Sequence, residues 1–425
     1  MIQELKIQNF LSFKDEVTFS FEATSDTKLD DYYIATQPDG TRLLKMAMIY
    51  GANASGKSNL IKAFEFIKKF VHEIPEETDT ELPFVPFMFD KTKDEPGKFT
   101  LVFYDNGVKH KYQLIVNDLV VFEEKLFFYP STQPAIIFNR YFNKKDNLSV
   151  LEFGPKIKVS EQAIEAIQLK TLKNTSVFAA RNQVNVSIPE LDRINEWFAK
   201  NFITPINPYH SLTTFSDEKI KNDTNIKKHA LKFLSKADFN ITDVLFEETI
   251  HPITDEILKT LDATPLSEED KAQIRKEKAV HLEETIFTHR IIKNGKEEFH
   301  NLSEERQSKG TMRYYGLSAP YYFAMKYNAF LPIDEIGSAL HILLVFHLVN
   351  KFLQESDQAQ LLFTTHNISL LNEKDILRKD AIWFAEKRED GATELFSMAE
   401  FPIRKELSYY NAYKHGKFGA IPEFD

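Results

Sequence analysis

The stretch Met46 to Ser58, MAMIYGANASGKS, leaves the chain few folds to choose from. MAMIY is apolar throughout and reads as a buried strand, and the amphipathic run NLIKAFEFIKKFV after the loop reads as a helix. Between them Gly51, Gly56, Lys57 and Ser58 complete the pattern G-x-x-x-x-G-K-S. Small residues there let consecutive backbone N–H groups turn toward an anion at a helix N-terminus. Lys57 supplies a point charge for β- and γ-phosphates, and Ser58 a hydroxyl for Mg²⁺. Asn53, Ala54, Ser55 and Asn59 fill out the expected nucleotide-binding set. A glycine-rich turn that bound nothing would have no packing use for this lysine.

The rest of the chain must supply a sheet for that strand. With 425 residues it can form two or three domains, or one large α/β domain with an insertion. A hydrophobic fraction of 43%, with 37 Phe and 16 Tyr, speaks for a substantial core. No apolar run reaches the length of a membrane span. The formal charge of −10 argues against wrapping nucleic acid over a broad face. With no cysteine, disulfides, thiolate metal sites and cysteine nucleophiles are excluded. The charged, strand-like start MIQELKIQNF does not read as a signal peptide, so a cytoplasmic protein is expected.

Residues 1 to 22 alternate as a hairpin expected to lead the sheet of the phosphate loop. After the loop and its helix come four β-like runs, KFTLVFYD, KHKYQLIVND, VVFEEKLFFYP and AIIFNRYF, the first two meeting at the turn Asp105-Asn106-Gly107. An antiparallel meander is expected. From about Val159 the spacing changes to three and four, which predicts helices at SEQAIEAIQLKTL, PELDRINEWFAKNF, NIKKHALKFLSKA and SEEDKAQIRKEKAVHLEETI. The expected division is therefore an N-terminal lobe at 1–154, a mainly helical insertion at 155–300 for dimerisation or partner binding, and a C-terminal lobe at 301–425.

The last third carries further chemistry. AFLPIDE is an apolar strand that delivers Asp334 and Glu335 at its C-terminal end, where ligands sit in an open parallel sheet. Asp334 is the expected Mg²⁺ ligand, and Glu335 the base that polarises water for attack on a γ-phosphate. QLLFTTHN ends a second strand at His366. The interval from Asp334 holds one helix and one strand, the βαβ step that sets two parallel strands side by side. His366 is thus expected at the same edge. Ser308 and Gly310, in QSKGTMRYYGL, precede a predicted helix and can offer a hydroxyl and N–H groups to an anion.

These pieces together resemble an ABC-type ATPase head of the SMC/RecF-like class. The phosphate loop matches Gly51 to Ser58, the signature Ser308-Lys309-Gly310-Thr311, the Walker B pair Asp334 and Glu335, and the switch histidine His366. IGSALH looks like the D-loop, with Ser338 and His341 at its matching positions. The signature is closer to an E-S-x-G-T form, with Gln307 in place of Glu, than to the transporter form LSGGQ. That form, together with KIQNFLSFKD and YNAYKHGKFGAIPEF, is similar to prokaryotic phage-defence ATPases of abortive-infection, PARIS-like systems. No glutamine is assigned to the Q-loop. The resemblance implies an α/β head with an antiparallel β subdomain, ATP and Mg²⁺ as ligands, and hydrolysis in a head-to-tail homodimer or higher oligomer. In that dimer the Ser308 and Gly310 segment of one subunit completes its partner's site.

Two functions stand as expectations. One is a sensor ATPase of an antiviral system that holds or releases a separate effector, a nuclease or other toxin, since the stretch after His366 is too short for an appended nuclease domain. The other is a RecF-type repair head that clamps DNA, for which Lys144, Lys145, Arg181, Lys227 and Lys228 are the candidate phosphate contacts. A head that binds ATP only as a structural ligand is disfavoured by the intact Asp334-Glu335 pair.

Overall fold

Fully apolar strands need neighbours on both sides and cover on both faces, and MAMIY receives both. In the computed structural model, Met46–Tyr50 is the middle strand of a five-stranded sheet. The described residues are 1–77, 79–235, 237, 239–264, 266–373, 375–402 and 408–422. The sheet order is Phe330–Ile333, Gln360–Thr364, Met46–Tyr50, Ile382–Lys387, Thr393–Ser397. Its first four strands are parallel and the last is antiparallel. The α/β class expected from the sequence is the class found.

The chain divides into two compact units, one of residues Met1–His210 and Phe323–Asp425, the other Ser211–Tyr322. In the first, the expected meander forms, and the strand Leu148–Phe153 extends it. The turn at Asn106 and Gly107 takes the two positive φ values, 46° and 75°, that a tight hairpin needs. The N-terminal hairpin, Ile2–Gln8 with Val17–Ser20, joins this seven-stranded antiparallel sheet and not the sheet of the phosphate loop. This corrects the sequence-based expectation, and the reason is backbone pairing: Ile2–Gln8 bonds to Gly97–Asp105.

Helix Lys57–His72 packs against residues of both sheets. Phe64 meets Phe330 of the parallel sheet with ring centroids 4.8 Å apart, and Phe66 meets Phe99 of the antiparallel sheet at 5.1 Å. Gln360, fully buried, supplies a second link. Its side-chain oxygen accepts from the Ile2 N–H, and its Nε2 donates to the carbonyls of Ile2 (2.9 Å) and Leu44 (3.1 Å). One amide therefore serves as backbone partner to the first strand.

The expected helical insertion at 155–300 is corrected in extent and in class. Helices Glu161–Lys170 and Pro189–Lys200 form as predicted but belong to the first unit. Trp197 stacks on Phe103 at 4.0 Å, and buried Arg140 donates to the carbonyls of Leu172 (2.9 Å) and Lys173 (3.1 Å). The second unit combines helices Leu212–Asn222 and Thr224–Ser235 with a three-stranded antiparallel sheet of Ile241–Pro252, Ala279–Lys293 and Lys296–Ser303. The charged helix predicted through Ile286 stops at Glu277, because Lys278 turns left-handed (φ 51°) and its N–H closes on the Ile274 carbonyl. From Ala279 the chain is strand. Alternating charges on its exposed parts hide the period of two.

Replacing Gln360 with Leu leaves the buried Ile2 N–H and C=O without these partners. We expect a loss of about 2–5 kcal/mol, read as a lower urea midpoint at unchanged slope.

Candidate active site

Parallel strands in register end together, and here three of them end in polar residues. Phe363 pairs with Met48, and Thr364 with Ile49. Ile333 pairs with Phe363. Consequently Gly51, Asp334 and Thr365 each come just after the strand ends at one edge, and Glu335 and His366 one residue later. The Nε2 of His366 lies 3.4 Å from the Glu335 carboxylate. Glu335, His366 and the loop Asn53 to Asn59 line one cavity of about 550 Å³.

The loop is held from outside by residues distant in sequence. Thr393, buried, has its Oγ1 2.8 Å from the Ser55 carbonyl and 2.7 Å from the Ser12 hydroxyl, and its N–H donates to the Ser12 carbonyl at 2.7 Å. The Asn59 amide donates to the same Ser12 hydroxyl at 2.7 Å. Gly56 needs to be glycine on two counts: its φ is 102°, and a Cβ there would lie 2.2 Å from Thr393 Oγ1. Helix Lys57–His72 starts at the next residue, so its positive end opens on the cavity. The Ser55 hydroxyl is buried with no hydrogen-bond partner among the described residues.

Lys57 is only 5% exposed, and its Nζ donates to the carbonyls of Gly51 (2.9 Å) and Ala52 (2.7 Å). Burial pushes its pKa down to about 8, with the negative charges of Asp334 and Glu335 working in the opposite direction. An ammonium so placed gains from a phosphate what its surroundings withhold.

The two carboxylates are oriented through Thr364, fully buried on the neighbouring strand. Its hydroxyl donates to Asp334 Oδ1 at 2.5 Å and accepts from the Glu335 N–H at 2.8 Å. Glu335 sits at φ 49°, a left-handed backbone that costs a residue with a Cβ about 1–2 kcal/mol. The Thr364 bond helps hold it there. Asp334 and Ser58 together offer hard oxygen donors suited to Mg²⁺. Among the described residues no group of three or more His, Asp or Glu could hold a metal alone. A cation here would complete its shell from phosphates and water.

Lys57, Ser58, Asp334, Glu335 and His366 are thus brought to one edge, along with Asn53 to Gly56 and Asn59, Asp334 standing outside the residues that line the cavity. Asn59 is also engaged with Ser12. Ser338 of the expected D-loop lines a small adjoining cavity with Glu335 and His366. Ser308 and Gly310 belong to the second unit and are not among the residues of this cavity. There Ser308 caps helix Lys309–Tyr327, its hydroxyl accepting from the Thr311 N–H at 3.0 Å, and Gly310 lies in the first turn instead of before it. Sequence reasoning missed Ser12 and Thr393. Ser12 is visible there only as one small polar residue in the aromatic run NFLSF. Among the candidate DNA contacts, Arg181 pairs with Asp192 (2.5 Å), Lys227 with Asp243 (2.8 Å), and Lys144 lies 5.3 Å over the Phe122 ring.

A phosphate loop between a parallel strand and its helix, with a carboxylate strand in the same sheet, defines a P-loop ATPase. Residues 46–372 match the family described as "AAA domain, putative AbiEii toxin, Type IV TA system". The chain belongs to that family. No curated protein matches it. Similar solved structures include an SMC head domain from Thermotoga maritima, with 13% identity, 93% of this chain and 98% of that chain covered, and TM-score 0.40. An SMC head bound to the C-terminal winged-helix domain of ScpA gives 14% identity, 97% and 99% coverage, and TM-score 0.41. An Smc head with an extended coiled coil, bound to the C-terminal domain of ScpA derived from Pyrococcus furiosus, gives 13%, 98% and 98%, and 0.36. Among the described residues no helix is long and apolar enough to cross a membrane.

Because Lys57 titrates near 8 in its buried place, an oligophosphate bound at a pH above that value should raise its pKa and draw a proton onto it. Calorimetry of ATP binding near pH 9, in buffers of different ionisation enthalpy, should therefore show proton uptake. Lys57→Arg, which keeps its charge at that pH, should abolish the uptake while retaining binding.

Proposed function

We propose that this chain binds and hydrolyses ATP and uses its nucleotide state to control a separate toxic effector in a bacterial antiviral, abortive-infection system. The observation that carries the reading is the convergence of Lys57, Glu335 and His366 on one cavity whose wall is the phosphate loop. In it, Gly51 to Asn59 cradle the phosphates and Lys57 neutralises their charge. Ser58 and Asp334 would hold Mg²⁺, which when bound spreads the charge of the phosphate oxygens. Glu335 takes the proton of the attacking water, and its fixed backbone keeps the carboxylate aimed. His366 donates to the γ-phosphate. Positioning and electrostatics supply most of the acceleration in such transfers.

The signature segment, Ser308 to Thr311, serves a second copy of the chain in this reading. One subunit supplies cradle and metal site, while the partner's segment adds N–H groups toward charge that develops on the transferred phosphoryl. ATP then favours the closed dimer and hydrolysis releases it. Membership of a family whose description names a toxin of a toxin–antitoxin system supports the defence role over DNA repair. So do the carboxylate and ring partners of Arg181, Lys227 and Lys144. The effector is a separate protein, a nuclease or other toxin, and the second unit, Ser211–Tyr322, is the surface offered to it.

Lys57→Ala should abolish ATP binding. Glu335→Gln should retain ATP, accumulate dimer on sizing columns and lose turnover by a factor of about 100 or more, on the order of a general base's contribution. Both variants should lose protection in a plaque assay with the neighbouring genes present. Normal turnover by Glu335→Gln would remove that residue from the base role.

A further inference from the structure

The cavity of the phosphate loop extends past the loop. Beyond it the wall is apolar, made by Leu11, Val85, Pro86, Met88 and Phe89. Phe89 is 71% exposed and Met88 58%, and Phe89 has two close neighbours. Phe87 meets the Phe89 ring edge-on at 5.4 Å. Gly391, at φ 82°, also comes so close that a Cβ there would lie 2.7 Å from a ring carbon. Any other residue at 391 would push the ring aside.

The three segments that form this wall are tied to one another. Leu11 N–H donates to the Val85 carbonyl at 2.8 Å. Lys14 bridges Asp90 (2.6 Å) and Asp390 (3.4 Å), and Arg388 bridges Asp390 and Asp15, each at 2.8 Å. Single exposed ion pairs contribute little. Linked pairs across three loops, however, fix where Phe89 stands relative to Gly391 and the phosphate loop. The result is an aromatic ring, largely exposed, that borders the same cavity as Lys57.

A phosphate chain has no use for such a wall. A nucleoside triphosphate carries one flat, polarisable group, its base, and the covalent tether to the phosphates keeps that group within the cavity. Resting on the ATP reading above, we propose that Phe89, flanked by Met88, is the platform on which the base of the bound nucleotide stacks, so that this wall selects nucleotides over bare polyphosphates.

The test is equilibrium binding of ATP and of inorganic tripolyphosphate to the full chain, in wild type, Phe89→Ala and Phe89→Tyr. Phe89→Ala should weaken ATP roughly tenfold and leave tripolyphosphate affinity unchanged, while Phe89→Tyr, which keeps a ring, retains ATP. The proposal is overturned if Phe89→Ala binds ATP as wild type does, if it loses both ligands alike, or if wild type holds tripolyphosphate as tightly as ATP. A wild-type chain that binds neither ligand overturns the ATPase reading and this one with it. Wild-type binding of ATP that survives in Phe89→Ala overturns the platform alone.

Discussion

Hydrogen bonding in register between parallel strands is the constraint on which everything else rests. Once Met46–Tyr50, Gln360–Thr364 and Phe330–Ile333 pair, the residues after each strand have one edge to occupy. Lys57, the Asp334-Glu335 pair and His366 are far apart in the chain, and no local preference could assemble them. The sheet does it as a by-product of satisfying buried backbone groups. Thr364 then refines the placement, since one hydroxyl couples the orientation of Asp334 to the strained backbone of Glu335.

The phosphate loop is held in shape by other contacts. Besides the bonds of Lys57 to the Gly51 and Ala52 carbonyls, it is braced through Thr393 and Ser12, which come to it from opposite ends of the sequence. A loop stabilised in this way can present its N–H groups without first reorganising, which is where electrostatic binding gains most. Gly56 shows how tight the arrangement is, for the space a methyl group would need is filled by the Thr393 hydroxyl.

Much of this is legible in the sequence, and the gaps have physical causes. Strand, loop and helix around Lys57 announce themselves because apolar period, glycine spacing and lysine coincide within a short window. The βαβ step from Asp334 to His366 is legible because loop lengths restrict where a parallel strand can go. The strand after Lys278 is not, because its outward residues are charged at a spacing that suits a helix as well. Ser12 and Thr393 are illegible in principle, since each acts through a tertiary contact with no local signature. The same holds for the allegiance of helices Glu161–Lys170 and Pro189–Lys200, decided by aromatic and carbonyl contacts with the meander rather than by their own periodicity.

The Gln360 clamp has a bearing on how the protein is made. Ile2 leaves the ribosome long before Gln360, so the amide that satisfies it is added only after most of these residues have been synthesised. The same delay applies to Met46–Tyr50, whose neighbours in the sheet all come from beyond residue 329. During translation the nascent phosphate-loop strand therefore has unpaired edges for a long interval, a state prone to wrong pairing and aggregation. The antiparallel meander, built from consecutive segments, can form meanwhile and give the waiting helix Lys57–His72 one of its two surfaces.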